Sequence, residues 1–438
     1  MLNEKAEQCS SKALDVNNSM DSNSSNLKLK LIQTLKVSCS TDKEIKFYKF
    51  NSNNNNNNKQ NQIEFKIFDS IPSSHTRTIR NLNWSPNGEF LASVSFDSTC
   101  SIWSKNDIIK NSNSTKFEID DEIISSSNDE NWDCLMSLEG HESEVKSVAW
   151  NRNGNLIATC SRDKTVWIWE ILIENQSIIN HDEVDQEESY EVLAVLMEHD
   201  QDVKSVCWSP KEDLLCSTSY DNNIHLYAED HSDGEFTLIH RLKGHQSTVW
   251  NASFSPCGEY LASCSDDLSI RIWHRQKISM GGVEGRDGGL NGGWRIGRSE
   301  RERWTCVNVI SGYHSRTIYS LDWTSTNLNP QSDSDLIEDS LGTILTCGGD
   351  GKINIFEIFR GSPVAGLDTS SPQPIVNHLV QKKKAHGVSD INCVSCCKIK
   401  KLPTPSDTIT SNWRESAQRL IASAGDDGTI KIWMLSNN

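Results

Sequence analysis

The sequence predicts an all-β protein built as an array of similar units, and two spacings carry that prediction. A Ser or Thr is followed four residues later by an Asp, and six residues after the Asp by an aromatic side chain; this register occurs seven times in 438 residues. A His stands 22 residues before the Asp in four copies. So regular a period is typical of repeat folds, in which each unit buries its apolar face against its neighbours. The copies are Ser38/Asp42/Tyr48, Ser93/Asp97/Trp103, Thr159/Asp163/Trp169, Ser217/Asp221/Tyr227, Ser263/Asp267/Trp273, Thr346/Asp350/Phe356 and Ser423/Asp427/Trp433.

The His residues show which units are complete. His75, His141, His199 and His245 stand at the constant distance, whereas His314 and His386 stand further upstream with extra loop residues between. The first unit has no His and no clear innermost strand, so we expect a degenerate first repeat. Either the amino-terminal segment supplies that strand, or the start of the sequence is incorrect.

One unit illustrates the elements that each copy predicts. Residues Asn155–Cys160 form a strand, Ser161–Lys164 a tight turn, and Thr165–Glu170 the next strand, because β-branched and aromatic residues flank a polar turn. The apolar run Val145–Trp150, which follows the His, supplies an innermost strand. The fourth strand is expected in the variable segment before the next His. One such sheet could not bury both faces, but a ring of seven can.

These spacings, with the pairs Gly140-His141 and Gly244-His245, resemble the WD40 repeat. The resemblance implies a seven-bladed β-propeller of four strands per blade, forming one large domain over residues 27–438. Residues 1–26 are rich in Ser and Asn and are expected to be disordered. Long insertions between strands are expected near residues 104–131, 171–190, 274–303, 324–342, 357–384 and 398–416.

The repeated Ser, His and Asp suggest a catalytic triad, and we reject that interpretation. Six near-equivalent copies cannot all be active sites. In WD40 proteins the same residues form a structural hydrogen-bond network that ends at the Trp indole, which satisfies buried polar groups. We therefore expect no catalytic residues and weaker blades where Tyr48, Tyr227 or Phe356 replaces Trp.

The fourteen cysteines point to structure and not to a metal centre. Four of them stand three residues before a repeat Asp, and Cys393 and Cys396 align with an innermost strand, where residues three apart point to opposite faces. We expect no metal and no cofactor. Unpaired thiols, no signal peptide and no long apolar stretch favour a reducing compartment, the cytoplasm or also the nucleus.

Charge argues against a general nucleic-acid binder. The chain has 43 Lys and Arg against 60 Asp and Glu, a net charge of −17. Much of the acid lies in the insertions, including residues 118–122 and 182–188, which are expected to be solvated loops.

Function is expected where the units differ, because the fold alone implies none. Two positions of each unit meet at one edge of a propeller. One is the residue just before the Asp, and the other is the residue five after the His where no insertion intervenes. The residue type at both positions differs from unit to unit. Arg and aromatic residues dominate this set, and these types carry much of the binding energy at interfaces. Arg162 is the strongest candidate because its planar guanidinium suits a carboxylate. The predicted partner-binding residues are Arg77, Arg80, Phe96, Lys146, Arg162, Lys204, Tyr220, Trp250, Arg316 and Tyr319.

Several segments narrow the resemblance to one WD40 family. They include Ser161-Arg162-Asp163-Lys164 and His314-Ser-Arg-Thr-Ile-Tyr319, and they are similar to the WD40 subunit of the cytosolic iron–sulfur protein assembly (CIA) targeting complex. The likeness covers residues 75–273 and 304–356 well, and 386–433 less well.

That resemblance implies a non-catalytic adaptor, monomeric within a hetero-complex. Its expected partners are a small MIP-type subunit, a HEAT-repeat adaptor and apo iron–sulfur protein clients, with no direct nucleic-acid or membrane partner. Many clients of this family present a short carboxy-terminal peptide with an acidic or small residue and a final aromatic, which a basic and aromatic rim would suit.

Two other classes remain open. Another WD40 scaffold, such as a ubiquitin-ligase substrate receptor, commonly carries Trp-Asp-x-Arg, but Ser, Glu, His and Met follow the four repeat Trp residues here. A G-protein β-like adaptor should open with a heptad helix, and residues 1–26 show none. An enzyme or metal carrier would need a converging constellation outside the repeat, and the sequence shows none.

Overall fold

The computed structural model describes residues 27–36, 43–53, 62–72, 74–105, 132–172, 190–230, 234–277, 302–325, 339–361, 373–396 and 420–437. Across these ranges the chain forms twenty-six β-strands and no helix, which confirms the all-β prediction. The predicted disordered tail, residues 1–26, and most residues of the six predicted insertions lie outside the described ranges. The domain boundaries therefore stay predictions.

Six four-stranded antiparallel sheets follow one another along the chain, and we call them blades I to VI. Blade I contains β4 (Ile79–Trp84), β5 (Phe90–Ser95), β6 (Cys100–Lys105) and β7 (Trp132–Leu138). Blade II contains β8 (Val145–Trp150), β9 (Leu156–Ser161), β10 (Val166–Ile171) and β11 (Tyr190–Leu196). Blade III contains β12 (Val203–Trp208), β13 (Leu214–Ser219), β14 (Ile224–Glu229) and β15 (Phe236–Leu242).

The remaining strands complete the set. Blade IV contains β16 (Val249–Phe254), β17 (Tyr260–Ser265), β18 (Ile270–Lys277) and β19 (Glu302–Ile310). Blade V contains β20 (Ile318–Thr324), β21 (Ser340–Gly348), β22 (Ile353–Phe359) and β23 (Ile375–Lys382). Blade VI contains β24 (Ile391–Cys396), β25 (Leu420–Gly425), β26 (Thr429–Asn437) and β1 (Leu27–Lys36), and β2 (Glu44–Asn53) pairs with β3 (Gln62–Pro72) as a two-stranded sheet.

The strand order in blades I to V follows the chain, and in all six blades the strand after the His is innermost. In blade II the order is β8-β9-β10-β11, and the bounds of β8 match the predicted innermost strand. Neighbouring innermost strands contact one another in series from β4 to β24. The fourth strand precedes the next His in blades I to V, as the repeat predicted.

Blade VI differs, because its fourth strand comes from the other end of the chain. Strand β1 pairs with β26 antiparallel, with Leu27 opposite Asn437 and Lys36 opposite Thr429. The amino-terminal segment therefore completes the last unit and does not supply the innermost strand of the first.

The apolar core lies between blades and not within them. One cluster joins Cys160 and Ile168 of blade II to Val206 and Trp208 of blade III, all of them buried. Each fully buried side chain of this size contributes about 1.5–3 kcal/mol. A blade thus gains its stability from both neighbours, which explains why the units occur as an array.

Candidate functional site

Six hydrogen-bonded networks hold the turns at one edge of the ring, which we call the Asp rim. In blade II, His141 Nδ1 donates to Asp163 Oδ2 over 2.8 Å, Thr159 donates its hydroxyl to His141 Nε2 over 2.9 Å, and Trp169 Nε1 donates to Thr159 Oγ1 over 2.8 Å. The carboxylate can only accept, so Nδ1 carries the proton. The same bonds recur around His75, His245 and His386, which supports the structural interpretation of the repeated Ser, His and Asp.

The network favours the ionised Asp. Burial by itself would raise the pKa of Asp163, but hydrogen bonds from His141 and Thr165 overcome this and lower it to about 2. Hydrogen bonds from His199 and a backbone amide act in the same way on Asp221, whose pKa is also about 2. These carboxylates accept hydrogen bonds that hold the turns in place.

Two blades lack the indole donor, as the sequence predicted. In blade III, the hydroxyl of Tyr227 lies 3.2 Å from His225 Nδ1. In blade V, Phe356 has no polar group, and Asn354 Nδ2 lies 2.8 Å from His314 Nε2 instead.

The turn geometry fixes where the variable residues lie. The residue before the Asp donates its backbone N–H to the chain just ahead of the innermost strand, as Arg162 does to Glu144 over 3.0 Å and Tyr220 to Asp202 over 2.9 Å. The residue after the Asp has a positive φ, 76° at Lys164. Each turn therefore folds over the start of an innermost strand, which brings the two sets of predicted residues together.

Phe96 begins a series of contacts along the Asp rim. Arg77 donates from Nη1 to the Phe96 carbonyl over 2.7 Å, and its guanidinium lies 5.9 Å from the ring centroid. Lys146 Nζ of blade II lies 5.5 Å from the same ring. A cation over an aromatic face gains about 0.5–2 kcal/mol, more where water is excluded.

Asp202 links two lysines in the middle of the series. Its Oδ2 lies 3.9 Å from Lys146 Nζ and 3.4 Å from Lys204 Nζ. Lys204 is largely buried, and its Nζ lies 5.1 Å from the ring centroids of both Tyr220 and Trp250. Burial and the charge of Lys204 lower the pKa of Lys146.

Trp250 and Tyr319 continue the series into blades IV and V. Their rings meet edge to face with centroids 5.1 Å apart. Trp250 Nε1 donates to Asp266 over 2.7 Å, and the Tyr319 hydroxyl donates to Asp390 over 3.3 Å. Burial and the Asp390 carboxylate raise the pKa of Tyr319.

Three arginines stand more open to solvent. Arg162 Nη1 lies 3.3 Å from Glu144, with 59% of its side chain exposed. Arg316 donates to Asp390 over 3.2 Å, with 62% exposed. Arg80 is exposed and makes no hydrogen bond or ion pair within the described part of the chain.

The structure thus joins nine of the ten predicted residues through a series of contacts, with Arg80 outside that series, and it adds acids that were not predicted. Glu144, Asp202 and Asp390 each pair with one or more of the rim cations. Glu144 and Asp202 both stand three residues after a His, a constant offset that could have revealed them. The rim is therefore a mixed-charge aromatic surface with exposed guanidinium groups, and not a uniformly basic funnel.

One group of side chains among the described residues could be considered for a metal ion. His199, Asp221 and His225 offer ligand atoms within 4.8 Å of one another. However, the two imidazole rings stack with centroids 3.8 Å apart and planes at 6°, so their in-plane lone pairs lie in parallel planes and do not converge on one ion. Of the CxxC pair, Cys393 is exposed and Cys396 is buried, as expected for opposite faces.

A pocket of about 550 Å³ lies at the opposite edge, between blades III and IV. Its Arg275 pairs with Glu302 and Glu212. Since this central charge is already neutralised, the Asp rim remains the better candidate site.

The sequence is similar to known proteins over most of its length. The family described as "WD domain, G-beta repeat" matches residues 68–104, 132–170, 190–227, 236–274 and 377–434. The chain is similar to "Probable cytosolic iron-sulfur protein assembly protein 1" of Mycosarcoma maydis, with 38% identity over 92% of this chain and 88% of the relative. Proteins of the same name from Cryptococcus neoformans var. neoformans and Botryotinia fuckeliana are 30% and 29% identical over 92% of this chain, and over 93% and 91% of their own lengths. Among the described residues, no helix has the length and apolar character needed to span a bilayer.

Proposed function

Since this chain belongs to the WD40-repeat family and, within it, to the family of the relatives named cytosolic iron-sulfur protein assembly protein 1, we propose that it is a non-catalytic scaffold of iron–sulfur protein assembly. In this role it recruits apo-protein clients through the Asp rim. The relatives' name favours the cytosol over the nucleus as its compartment. Its other partners would be the small MIP-type subunit and the HEAT-repeat adaptor that the resemblance implies.

One observation supports a role in binding clients: the guanidinium of Arg162 is held in place but is only partly paired. Arg162 is 59% exposed and contacts Glu144 at 3.3 Å, while Arg77 reaches the same carboxylate at 3.7 Å. An exposed ion pair of this kind contributes only about 0–1 kcal/mol. A client carboxylate that accepts two parallel N–H groups can therefore compete with Glu144 for Arg162.

The aromatic contacts supply an anchor for the rest of a peptide. Tyr220 is 55% exposed, and Lys204 lies between its ring and that of Trp250. Trp250 and Asp266 are joined by a 2.7 Å hydrogen bond, so the indole is already oriented. Pre-oriented aromatic side chains bind at low entropic cost, as interface hot spots do. We propose that a client's terminal aromatic packs here while its carboxylate meets Arg162.

The same proposal includes the size of the ring. The two-stranded sheet packs Ile45 and Phe47 against Leu91 and Trp132 of blade I, in the way one blade packs on the next. We count it as an incomplete seventh blade. The observation that supports this count is that Tyr48 lies in β2 at the repeat's aromatic position.

Client capture with purified protein tests the proposal. Arg162→Glu should leave the ring folded and reduce client recovery at least tenfold, because a charge-assisted hydrogen bond contributes about 1.5–3 kcal/mol. Arg241→Glu is the matched control: Arg241 is also exposed and paired, to Glu198 at 2.7 Å, but lies on an outer strand. Unchanged recovery with Arg162→Glu, or equal losses with both variants, would refute the assignment.

A further inference from the structure

Two cysteines face each other across the innermost hairpin of blade III. Strands β12 and β13 pair with Cys207 directly opposite Cys216, and directly opposite residues of an antiparallel pair point to the same face of the sheet. Both side chains contact one apolar cluster between blades III and IV, to which Cys216 belongs and against which Cys207 packs. Among the strand pairs that the structure describes, no other register places two cysteines opposite each other.

The backbone spacing of this pair suits a disulfide bond. Ser209 donates its backbone N–H to the Leu214 carbonyl over 2.8 Å. Since hydrogen-bonded pairs alternate along an antiparallel ladder, the Cys207–Cys216 pair, two residues further along, is of the same kind. The Cα atoms of such a pair lie about 5.5 Å apart, within the range of roughly 4.4–6.8 Å that disulfides span.

The side-chain spacing indicates that the bond would be a strained one. The Cβ atoms of directly opposite residues lie about 4.5–5.5 Å apart, against about 3.8 Å in a disulfide. The two strands must therefore shift slightly to bring the sulfur atoms into bonding geometry. Strained disulfides are reduced more readily than relaxed ones, so a bond at this place would be reversible.

Packing alone does not require a thiol at either position. The same two positions in blade II hold Ala149 and Ala158, which are also directly opposite each other. In blade IV, Ser253 lies opposite another alanine. The fold thus accepts alanine or serine in place of Cys207 and alanine in place of Cys216, so filling the core does not explain why both are cysteines.

The two thiols differ in their access to solvent. Cys207 is partly exposed, whereas Cys216 is fully buried. Burial and the neighbouring Cys207 thiol raise the pKa of Cys216, so Cys216 stays protonated and is kept from dissolved oxidants. An accessible thiol beside a second thiol is the arrangement of redox-sensitive cysteine pairs, in which the first reacts with the oxidant and the second closes the disulfide.

We propose that Cys207 and Cys216 form a redox modification site, which a peroxide converts into a reversible disulfide between β12 and β13. The Cys207 sulfur attacks one oxygen of hydrogen peroxide, the O–O bond breaks, and the other oxygen leaves with the thiol proton as water. The Cys216 sulfur then attacks the resulting sulfenic acid, and the S–OH oxygen leaves with the Cys216 proton as a second water. Two thiols lose two electrons, which the peroxide gains. Exchange with glutathione restores both thiols.

Trypsin separates the two cysteines, so mass spectrometry can detect the bond directly. Cleavage after lysine and arginine gives residues 205–211, with Cys207 as their single cysteine, and residues 212–241, with Cys216 as theirs. The folded full chain is treated with hydrogen peroxide, and its remaining thiols are then blocked with iodoacetamide. These two peptides should be recovered linked, and prior incubation with excess glutathione should return them unlinked.

Single substitutions separate the two steps of the reaction. Cys216→Ala should abolish the link and leave a Cys207 sulfenic acid that dimedone labels, whereas Cys207→Ala should abolish both the link and the label at this site. Each variant should stay folded, because blade II has alanine at both positions, and a thermal melt checks this. Cys306 is the internal control, since it is also exposed but lies opposite Trp273. It should be oxidised without a link inside the chain.

Three results would overturn the proposal. The first is a folded chain in which peroxide oxidises Cys306 but leaves the two peptides unlinked. The second is a link that forms only in urea, since the folded strands would then hold the thiols apart. The third is a link that excess glutathione cannot reduce. Arg162→Glu should form the link to the same extent as the unsubstituted chain, because this site does not depend on the client role.

Discussion

His225 should make the protein lose stability in mild acid. Burial, together with the nearby charge of His199, lowers the pKa of His225 from 6.5 to about 3. The folded state therefore binds fewer protons than the unfolded chain below pH 6.5. The contribution of the neutral His225 to the unfolding free energy is complete above pH 6.5 and is lost as the pH falls towards 3. Each unit below 6.5 costs about 1.4 kcal/mol, which amounts to about 2 kcal/mol by pH 5.

The variant His225→Asn isolates this effect, because Asn354 occupies the same position in blade V. The fall in unfolding free energy between pH 7 and pH 5 should be about 2 kcal/mol smaller in His225→Asn than in the unsubstituted protein. Urea unfolding at the two pH values measures it. Thr237→Asn, at an exposed position of the same blade, should keep the original pH dependence. If His225→Asn kept that dependence as well, the imidazole would not be the group that titrates and the reasoning would fail.

Three further predictions concern the repeat itself. Trp169→Phe should lower the unfolding free energy by about 1–3 kcal/mol in urea, since the Thr159 hydroxyl loses its donor and the smaller phenyl ring leaves buried space unfilled; an unchanged midpoint would show that the indole bond contributes no stability. Gly348→Ala should cost about 1–3 kcal/mol, because a Cβ there would lie 2.0 Å from the Thr317 carbonyl oxygen; a neutral effect would mean that the backbone relaxes freely. Asp163→Asn should flatten the loss of stability between about pH 4 and pH 2, because the lowered pKa of Asp163 stabilises the fold above that window; a thermal melt series at low pH measures it.

The repeat predicted most of the fold because its spacings are set by hydrogen bonds. The spacing from His141 to Asp163 is constant as long as the two intervening strands and their loop keep their lengths, and it grows only where that loop carries an insertion, as between His386 and Asp427. Where Tyr227 and Phe356 replace Trp, the altered contacts also followed from side-chain chemistry alone.

The sequence could not predict the pairing of β1 with β26, because the two strands lie at opposite ends of the chain and share no turn. The acids of the Asp rim were missed for another reason. Lys146 was predicted as a partner-binding residue without its acid, because Asp202 of the next blade reaches it only through the packing of neighbouring innermost strands. Charge pairing between units depends on this packing, which composition does not report.

The pairing of Leu27 with Asn437 also affects the order of events during synthesis. Strand β1 leaves the ribosome before all the other described strands, yet its partner β26 is made after all of them. Until then β1 has an unpaired edge, and blade VI cannot close. Contacts this distant in sequence form slowly and leave sheet edges open to wrong partners. A nascent chain of this protein should therefore depend on chaperones until β26 emerges, and a truncation within β26 should leave β1 without its partner and the last blade open.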